Sequence, residues 1–454
     1  MLIDSIKKKV AGSQITENFL NKGERGENFV LKGVCGSLNS ILISLLYERV
    51  GGNFVIFVPE KNSALSLRDD LENLTDIDIS VFISYDPYFF TDAVQNQEII
   101  SQRLKVYEKL FYERKGIFII DSSSLIYPLK PPSELSNYFF EFKLGGQVEY
   151  DILLERIHNM GFERQSMVEE PGDFSVRGGI IDIFPHTFDN PLRIELDEDF
   201  IHSVRLFDVS TQRSIKNLDS TLFISPVSDL SGEDERIDKK LGFQFFDFLD
   251  KEVKFFKIEP FLYKNRMENH IKEITNNLPF DSYDLFLDSS LEDNFYKPDE
   301  IITRMNSLPS IDISFETVYG KDEIDFSSSE PPSFKRDLSL LSKEISRLYS
   351  KENKCSVYIL CDNNGQTERL EEFFEDDSNI IEEPFVGTGS LCEGFIFPDA
   401  GCAVFIDHQI FQREKWRPAR RIRESVRGLF SDKSLSIGDF IVHEDYGIGK
   451  CFGL

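Results

Sequence analysis

The chain has 454 residues, of which 41% are hydrophobic and 29% are charged, with 79 acidic side chains against 51 basic ones. A chain of this length exceeds a single hydrophobic core, and its apolar content, including 42 phenylalanines, excludes disorder throughout. The net charge of −28 repels a phosphate backbone, which argues against nucleic acid as the main partner. An acidic surface also promotes solubility or attracts a basic protein partner, and the charge alone does not distinguish these roles.

The cysteines and the hydropathy pattern indicate in which cellular compartment the protein resides. None of the six cysteines stands in a CxxC pair or beside two histidines, so we expect reduced thiols and neither a zinc site nor a disulfide framework. No run of about 18 apolar residues occurs, and no long apolar run follows the lysines at 7–9. These features predict a cytoplasmic protein without a membrane contact.

Strand and helix patterns alternate through the first 142 residues. The predicted elements, in chain order, are a strand at 28–31, a helix at 41–47, a strand at 54–58, a helix at 64–74, a strand at 80–84, a helix at 99–112 and a strand at 116–120. This alternation is typical of a parallel sheet covered by helices. We therefore predict an α/β domain over residues 1–142.

Residues 143–227 show a different pattern, in which apolar and charged side chains alternate. Residues 192–197 have the sequence Leu-Arg-Ile-Glu-Leu-Asp, and short apolar runs nearby are bounded by glycine. A two-residue period predicts an antiparallel sheet with one solvated face. In residues 228–325, a phenylalanine-rich stretch and a strand-like run at 283–287 predict a return to the first α/β domain. Residues 143–227 are therefore predicted to be an α+β insertion.

Three further regions follow. Residues 326–336 have the serine and proline content of a linker, and residues 337–412 alternate again as a second, small α/β domain. Seven basic side chains lie between 413 and 427, and in so acidic a chain we interpret residues 413–434 as a solvated linker helix rather than a nucleic-acid site. Residues 435–454 contain two strand-like runs around glycines and predict a truncated β-barrel start.

A glycine loop at residues 33–40, between the first predicted strand and helix, has the layout of a phosphate-binding loop. In such a loop, backbone N–H groups and a helix N-terminus hold phosphates, and a lysine before the Ser or Thr neutralises their charge. Gly33, Gly36 and Ser40 are present, but Asn39 takes the place of the lysine. We therefore predict a degenerate loop and no cofactor in this chain, with Ser40 as the one remaining candidate magnesium contact.

Asp121 is a second polar candidate, because it ends the predicted strand at 116–120. Three serines follow it, and no acidic neighbour supplies a catalytic pair. A carboxylate in this position favours a helix cap over a metal ligand.

The most informative motif covers residues 169–185, EEPGDFSVRGGIIDIFP, and continues through 193–208 to the segment STQRS at 210–214. Its glycines suit tight hairpins and its isoleucines suit a core. In order and spacing, these segments resemble the inserted second domain shared by the excinuclease subunit UvrB and the bacterial transcription-repair coupling factors (Mfd). The resemblance implies that the first α/β domain is a helicase-like domain of P-loop type, formed by 1–142 and 228–325.

The C-terminal segment distinguishes the two families. Residues 437–450, IGDFIVHEDYGIGK, are similar to the opening of the RNA-polymerase-interacting domain of coupling factors, a CarD-like domain that UvrB lacks. UvrB also keeps the phosphate-binding lysine and carries a long aromatic hairpin after the position of residues 85–87. Here the next predicted helix begins within a few residues. The chain thus resembles the N-terminal, non-motor part of a coupling factor.

The resemblance implies a role in transcription-coupled nucleotide excision repair, without ATPase activity in the chain itself. UvrA is the implied partner of the insertion, through arginines that match Arg177 and Arg193 and an aromatic position that aligns with Asp197. The RNA polymerase β subunit is the implied partner of the domain that begins at 435. ATP, magnesium and DNA would be bound by motor domains beyond residue 454.

The orientation of the two arginines follows from the local pattern. Alternation places Arg193 on the solvent face, opposite its apolar neighbours. Arg177 precedes two glycines that suggest a bulge, so the sequence leaves its direction open. Pairing of both arginines with surface acids such as Glu195 is the alternative to partner binding.

Two other functions remain open. A UvrB-like damage-recognition protein would hydrolyse ATP, and a CarD-like transcription regulator would bind RNA polymerase and duplex DNA. ATPase turnover would identify the first, and DNA binding would identify the second.

Overall fold

A computed structural model describes residues 2–86, 97–111, 115–135, 139–224, 242–249, 253–277, 294–315, 321–350, 355–376, 382–412, 440–443 and 447–450. The chain divides into two compact units. The first unit comprises residues 1–139 and 227–415, and the second comprises residues 140–226 and 416–454. The second unit therefore interrupts the first in sequence.

Helices and strands are numbered in chain order. The helices are α1 Leu2–Ala11, α2 Gln14–Glu24, α3 Leu38–Val50, α4 Lys61–Leu74, α5 Gln97–Phe111, α6 Pro132–Leu135, α7 Tyr150–Asn159, α8 Tyr263–Asn277, α9 Pro298–Asn306, α10 Leu338–Tyr349, α11 Asn364–Asp376 and α12 Asp407–Ile410. The strands are β1 Phe29–Lys32, β2 Asn53–Val58, β3 Ile79–Phe82, β4 Gly116–Asp121, β5 Phe139–Lys143, β6 Glu163–Arg164, β7 Asp173–Arg177, β8 Ile180–Ile183, β9 Leu192–Asp197, β10 Phe200–Phe207, β11 Ser214–Asn217, β12 Ser220–Ile224, β13 Val253–Ile258, β14 Ser310–Ile313, β15 Asp322–Asp325, β16 Ser356–Cys361, β17 Phe385–Thr388, β18 Phe395–Phe397, β19 Cys402–Ile406, β20 Phe440–His443 and β21 Gly447–Lys450.

The first unit is built on a seven-stranded sheet in the order β15-β1-β14-β13-β2-β4-β3. Its neighbouring strands run parallel. The central strands β2 and β4 are apolar and buried along nearly their whole length, as a parallel sheet covered on both faces requires. The α/β domain with a parallel sheet that the alternating pattern predicts is confirmed.

The strands that follow the insertion complete this sheet. β13 and β14 lie between β1 and β2, so that Phe256 of β13 pairs with Ile56 on one side and with Ile311 on the other. The predicted return of the chain to the first α/β domain is thereby confirmed. The predicted strand at 283–287 lies outside the described residues.

A second sheet of the first unit has the order β17-β16-β19-β18. Helices α10 and α11 pack against it, and Leu341, Ile345 and Leu370 join its core. Phe334 is buried in the same core, and Phe326 is buried beside Phe397. Residues 326–336, which the composition predicts to be a linker, therefore carry two buried aromatic side chains.

The second unit contains a six-stranded sheet in the order β11-β10-β9-β8-β7-β6. Strands β7 to β11 pair antiparallel, as predicted, and the short β6 pairs with β7 in parallel. Helix α7 covers one face, where Leu153 and Ile157 join a core with Ile181, Ile194 and Val204. Strands β5 and β12 form a separate two-stranded sheet.

Toward the C-terminus, β20 and β21 form one antiparallel pair. This pair occupies the position of the predicted barrel start, and no other strand is described after β19. The basic run at 413–427 lies outside the described residues. In the part of the chain that the structure covers, no helix is long and apolar enough to cross a membrane.

Asp121 caps a short 3-10 helix at Ser122–Ile126, as predicted. One of its carboxylate oxygens accepts a hydrogen bond from the Ser123 backbone N–H (2.9 Å), and the other accepts from the backbone and hydroxyl of Ser84 (3.1 and 2.6 Å). Because Ser84 follows the neighbouring strand β3, the side chain also ties two strand ends together.

His270 links α8 to the segment after β4. Its Nε2 lies 2.8 Å from the Tyr127 hydroxyl, and the ring is buried. Burial lowers the pKa of His270 from 6.5 to about 4, although the nearby Asp86 carboxylate opposes this shift and Lys61 reinforces it. The folded chain therefore holds this histidine neutral at pH values where the unfolded chain protonates it.

This difference predicts a pH-dependent stability. Because the unfolded state binds the extra proton, stability that is present above pH 6.5 is lost as the pH falls toward 4. The free energy of unfolding that is lost through His270 over this pH range is on the order of 2 kcal/mol. Thermal denaturation between pH 7.5 and 4.5 should show that His270→Asn is less stable than wild type at pH 7.5 and that this gap narrows at low pH. The exposed His202→Asn serves as the control and should leave the slope unchanged.

Candidate partner-binding face and degenerate phosphate loop

The open face of the six-stranded sheet carries the candidate arginine site. In β8 and β9, Ile181, Ile183, Leu192 and Ile194 point into the core. Their strand neighbours therefore project from the opposite, outer face. Asp182 of β8 lies directly opposite Arg193 of β9 in the register, which places both side chains next to each other on that face.

Asp182 holds both arginines. Arg193 donates from Nε to Asp182 Oδ1 (2.7 Å) and from Nη2 to Asp182 Oδ2 (2.8 Å), while Arg177 donates from Nη2 to the same Oδ2 (2.6 Å). The Asp182 side chain is only 2% exposed. Charge-assisted hydrogen bonds of this kind are among the strongest available to side chains. Two guanidinium groups share one carboxylate, so the cluster keeps a net positive charge.

Arg193 is the fixed member of the cluster. Its Nη2 also donates to Gln212 Oε1 (3.0 Å), its guanidinium lies 4.3 Å from the centre of the Phe207 ring, and its side chain is 14% exposed. The hydrogen bond to Asp182 raises the pKa of Arg193, so the guanidinium group stays protonated. The predicted outer face is confirmed for Arg193, but most of its surface is covered by these contacts.

Arg177 is the exposed member, with 46% of its side chain accessible. Gly178 and Gly179 form the turn between β7 and β8, and Arg177 pairs directly with Ile180 without a register shift. The predicted bulge is wrong. Glycine is required here because Gly178 has a φ of +60° and a Cβ on Gly179 would come within 2.7 Å of the Leu196 carbonyl oxygen.

The alternative left open by the sequence was that both arginines pair with acids such as Glu195. Both do pair with an acid, but that acid is Asp182. Glu195 pairs with Arg205 and accepts a hydrogen bond from Ser203 (3.0 Å). Asp182 was not among the residues predicted for this site. Its position between Ile181 and Ile183 already indicated the outer face, but only the register of β8 against β9 shows which arginine lies opposite.

Asp197 is exposed at the end of β9 and pairs with Phe200 across the turn to β10. The hydrogen bonds of the cluster join Asp182, Arg177 and Arg193, and Asp197 is not among their partners. A surface cavity of about 390 Å³ lies beside it, lined by Gly179, Ile180, Glu195, Leu196, Asp197 and His202.

The degenerate phosphate loop is filled by the chain itself. Gly33 and Gly36 have positive φ angles, +60° and +53°, between β1 and α3. The Ser37 backbone N–H donates to the Glu393 carbonyl oxygen (3.2 Å), and the Glu393 N–H donates to the Ser37 hydroxyl (3.0 Å). A Cβ on Gly36 would overlap the Gly394 carbonyl oxygen. The peptide at 392–394 therefore occupies the space above the loop.

Asp70 of α4 fixes this peptide from the other side. Its Oδ1 accepts from the Cys392 backbone N–H (2.6 Å), and its Oδ2 lies 3.0 Å from the Ser40 hydroxyl, which is also 2.9 Å from Asn39 Oδ1. Burial raises the pKa of Asp70, while hydrogen bonds from Ser37, Cys392 and Ser40 act in the opposite direction. Sequence patterns gave no sign of this contact.

The other polar groups of the loop are engaged as well. The Cys35 N–H donates to the Ser328 hydroxyl (2.9 Å), which donates in turn to the Gly33 carbonyl oxygen (2.5 Å). Ser40 is fully buried, so its hydroxyl faces protein rather than solvent. Within the described residues, no group of three or more His, Cys, Asp or Glu side chains could hold a metal ion.

An arginine pair preset by a buried aspartate on the open face of a small antiparallel sheet is suited to protein recognition. Residues 140–229 match the family model of the UvrB interaction domain. This match contains the whole six-stranded sheet and all three members of the cluster, Arg177, Asp182 and Arg193.

Similarity to known proteins extends over nearly the whole chain. The chain is 24% identical to the transcription-repair-coupling factor of Staphylococcus aureus strain MRSA252, over 94% of the chain and 42% of the relative. It is 25% identical to the transcription-repair-coupling factor of Bacillus subtilis strain 168, over 100% of the chain and 44% of the relative. The chain thus spans less than half the length of these relatives and is similar to the N-terminal part of transcription-repair-coupling factors.

The contact between the loop and the 392–394 peptide predicts that Gly36→Ala strongly destabilises the fold. The new Cβ would overlap the Gly394 carbonyl oxygen and would also strain a backbone with φ of +53°. We expect a loss of roughly 2–4 kcal/mol in the free energy of unfolding, measured by urea denaturation.

Gly26→Ala is the matched control, because Gly26 has a φ of +71° but nothing lies within 4 Å of its added Cβ. It should cost about 1 kcal/mol, from backbone strain alone. Equal losses for the two variants would contradict the contact between Gly36 and the 392–394 peptide.

Proposed function

We propose that this chain is the non-motor part of a transcription-repair coupling factor and recruits UvrA in transcription-coupled nucleotide excision repair. The observation that carries the proposal is the Arg177–Asp182–Arg193 cluster on the open face of the UvrB interaction domain. In a chain with a net charge of −28, this cluster is a local positive site. It suits carboxylates on a partner protein.

The geometry favours binding by the two arginines as one element. Asp182 fixes Arg193 by two hydrogen bonds and orients Arg177, whose guanidinium stays accessible. Side chains that are ordered before binding lose less entropy when a partner docks. Arginine is also enriched among the residues that dominate interface energies.

The proposal assigns roles to the rest of the chain. Residues 1–142 and 228–325 would form a helicase-like domain of P-loop type, split by the UvrA-binding domain at 143–227. Residues 337–412 would form a small α/β domain after the segment 326–336. The domain that begins at 435, after the basic segment 413–434, would bind the RNA polymerase β subunit. ATP, magnesium and DNA would be bound by motor domains outside this chain, in the cytoplasm.

We propose further that this chain does not hydrolyse ATP. The loop at Gly33–Ser40 lacks the lysine that neutralises phosphate charge, and the N–H of Ser37 already donates to the Glu393 carbonyl oxygen. Asp70 and Asn39 lie around the Ser40 hydroxyl. A nucleotide would have to displace the 392–394 peptide before it reached the loop.

The first test of this proposal is UvrA binding by arginine variants, measured by titration calorimetry with the 454-residue chain. Arg177→Ala should weaken binding by about 1–3 kcal/mol, because Arg177 is the accessible member of the cluster. Arg193→Ala should weaken it by a similar amount and should also destabilise the fold, since Arg193 contacts Asp182, Gln212 and Phe207. The double variant should lose less than the sum, because the two residues share Asp182.

Arg164→Ala is the matched control for Arg177→Ala. Arg164 is exposed in the same sheet, but its register partner Phe174 belongs to the core, so Arg164 lies on the opposite face from Arg177. Its removal should leave UvrA affinity unchanged. Circular dichroism would verify the fold of each variant. Wild-type affinity in a folded Arg177→Ala/Arg193→Ala variant would show that the site is wrong, and no binding by wild type would refute UvrA recruitment.

The second test is ATP hydrolysis. We expect no phosphate release above background from the wild-type chain, and no gain from Asn39→Lys, because a lysine would not remove the peptide that fills the loop. A colorimetric phosphate assay with and without magnesium would measure this. ATP-dependent phosphate release that disappears in Ser40→Ala would contradict the proposal and favour a UvrB-like ATPase.

A further inference from the structure

An exposed aromatic side chain stands on the same face as the arginine cluster. Phe200 begins β10 and pairs directly with Asp197 at the end of β9. Residues that lie opposite each other in an antiparallel pair project from the same face, so Phe200 shares the outer face with Asp197, Glu195 and Arg193. The exposed fraction of Phe200 is 50%.

Exposure alone does not identify a binding residue, because single apolar side chains are common on protein surfaces. The surroundings of Phe200 are what matter. Ile180 is partly exposed on the same face, where it pairs with Arg177 on one side and with Glu195 on the other. The cavity that contains Ile180 reaches Asp197, the register partner of Phe200. The cavity therefore leads from Ile180, beside the arginine cluster, to the register partner of Phe200.

The distances suit a single interface centre. Arg193 and Asp197 are four residues apart in β9, which corresponds to roughly 13 Å along an extended strand. The Cβ atoms of Asp197 and Phe200 are about 5 Å apart, as directly opposite residues are. Arginine and aromatic side chains at this spacing are the residue types that dominate the centres of protein interfaces.

We propose that Phe200 is the apolar anchor of the surface that binds UvrA. This inference rests on the proposed function and refines it. The cross-strand pairing places the Phe200 ring beside Asp197, on the face that carries both arginines. UvrA would then present an apolar pocket for Phe200 and carboxylates for Arg177.

The experiment measures UvrA affinity and dissociation rate for the 454-residue chain by biolayer interferometry. Phe200→Ala should weaken binding on the order of 10- to 30-fold, mainly through faster dissociation. The double variant Asp197→Phe/Phe200→Asp exchanges the two side chains, which moves the aromatic ring from β10 to the opposite position in β9. It should bind at least several-fold more tightly than Phe200→Ala, which a merely structural role for Phe200 would not produce.

Phe385→Ala is the matched control, since Phe385 lies in β17 of the first unit and is 51% exposed. It should bind UvrA like wild type. If wild type binds and Arg177→Ala weakens binding but Phe200→Ala does not, the inference about Phe200 is wrong and the proposed function stands. If wild type does not bind UvrA, the proposed function and this inference are both refuted.

Discussion

The sheet of the first unit depends on two strands that the chain supplies only after the insertion. Without β13 and β14, the pair β1–β15 would have no hydrogen-bonded connection to β2, β4 and β3. The cost in chain entropy of bringing such distant strands together grows only with the logarithm of the loop length. An insertion that folds into its own sheet lowers this cost further, because it shortens the effective loop. The strands of the parallel sheet can therefore pair although a whole second unit separates them in the sequence.

In the loop at residues 33–40, a backbone geometry that would suit a phosphate holds a peptide instead. The positive end of the α3 dipole and the N–H of Ser37 suit any acceptor with negative partial charge, whether a phosphate oxygen or a peptide carbonyl. Glu393 supplies a carbonyl oxygen, which carries no full charge and so needs no lysine. Asp70 would repel a phosphate but accepts the N–H of Cys392, so a buried carboxylate beside the loop suits a peptide rather than a phosphate.

Local periodicity predicted much of the fold. The features that depend on pairing between distant segments could not be predicted from it. The alternation in residues 192–197 placed Arg193 on the outer face, and the apolar runs located β2 and β4. The identity of the residue that orients Arg193 depends on the register between β8 and β9, which hairpin patterns in one sequence do not determine. The contact of Asp70 with Cys392 spans 322 residues and left no local signal. Composition indicated a linker at 326–336 from its serines and prolines, but it cannot reveal that Phe326 and Phe334 are buried.

The two-stranded sheet of β5 and β12 has a consequence for the history of this protein. These strands carry the chain into and out of the second unit, and the Leu144 N–H donates to the Asp219 carbonyl oxygen (2.9 Å) just beyond their ends. A segment whose entry and exit are hydrogen-bonded neighbours can be removed and its ends rejoined by a short turn. Such a unit can be inserted or removed as a whole. A lineage could gain or lose it in one recombination event, and the residues of its outer face could change without altering the core of the parallel sheet.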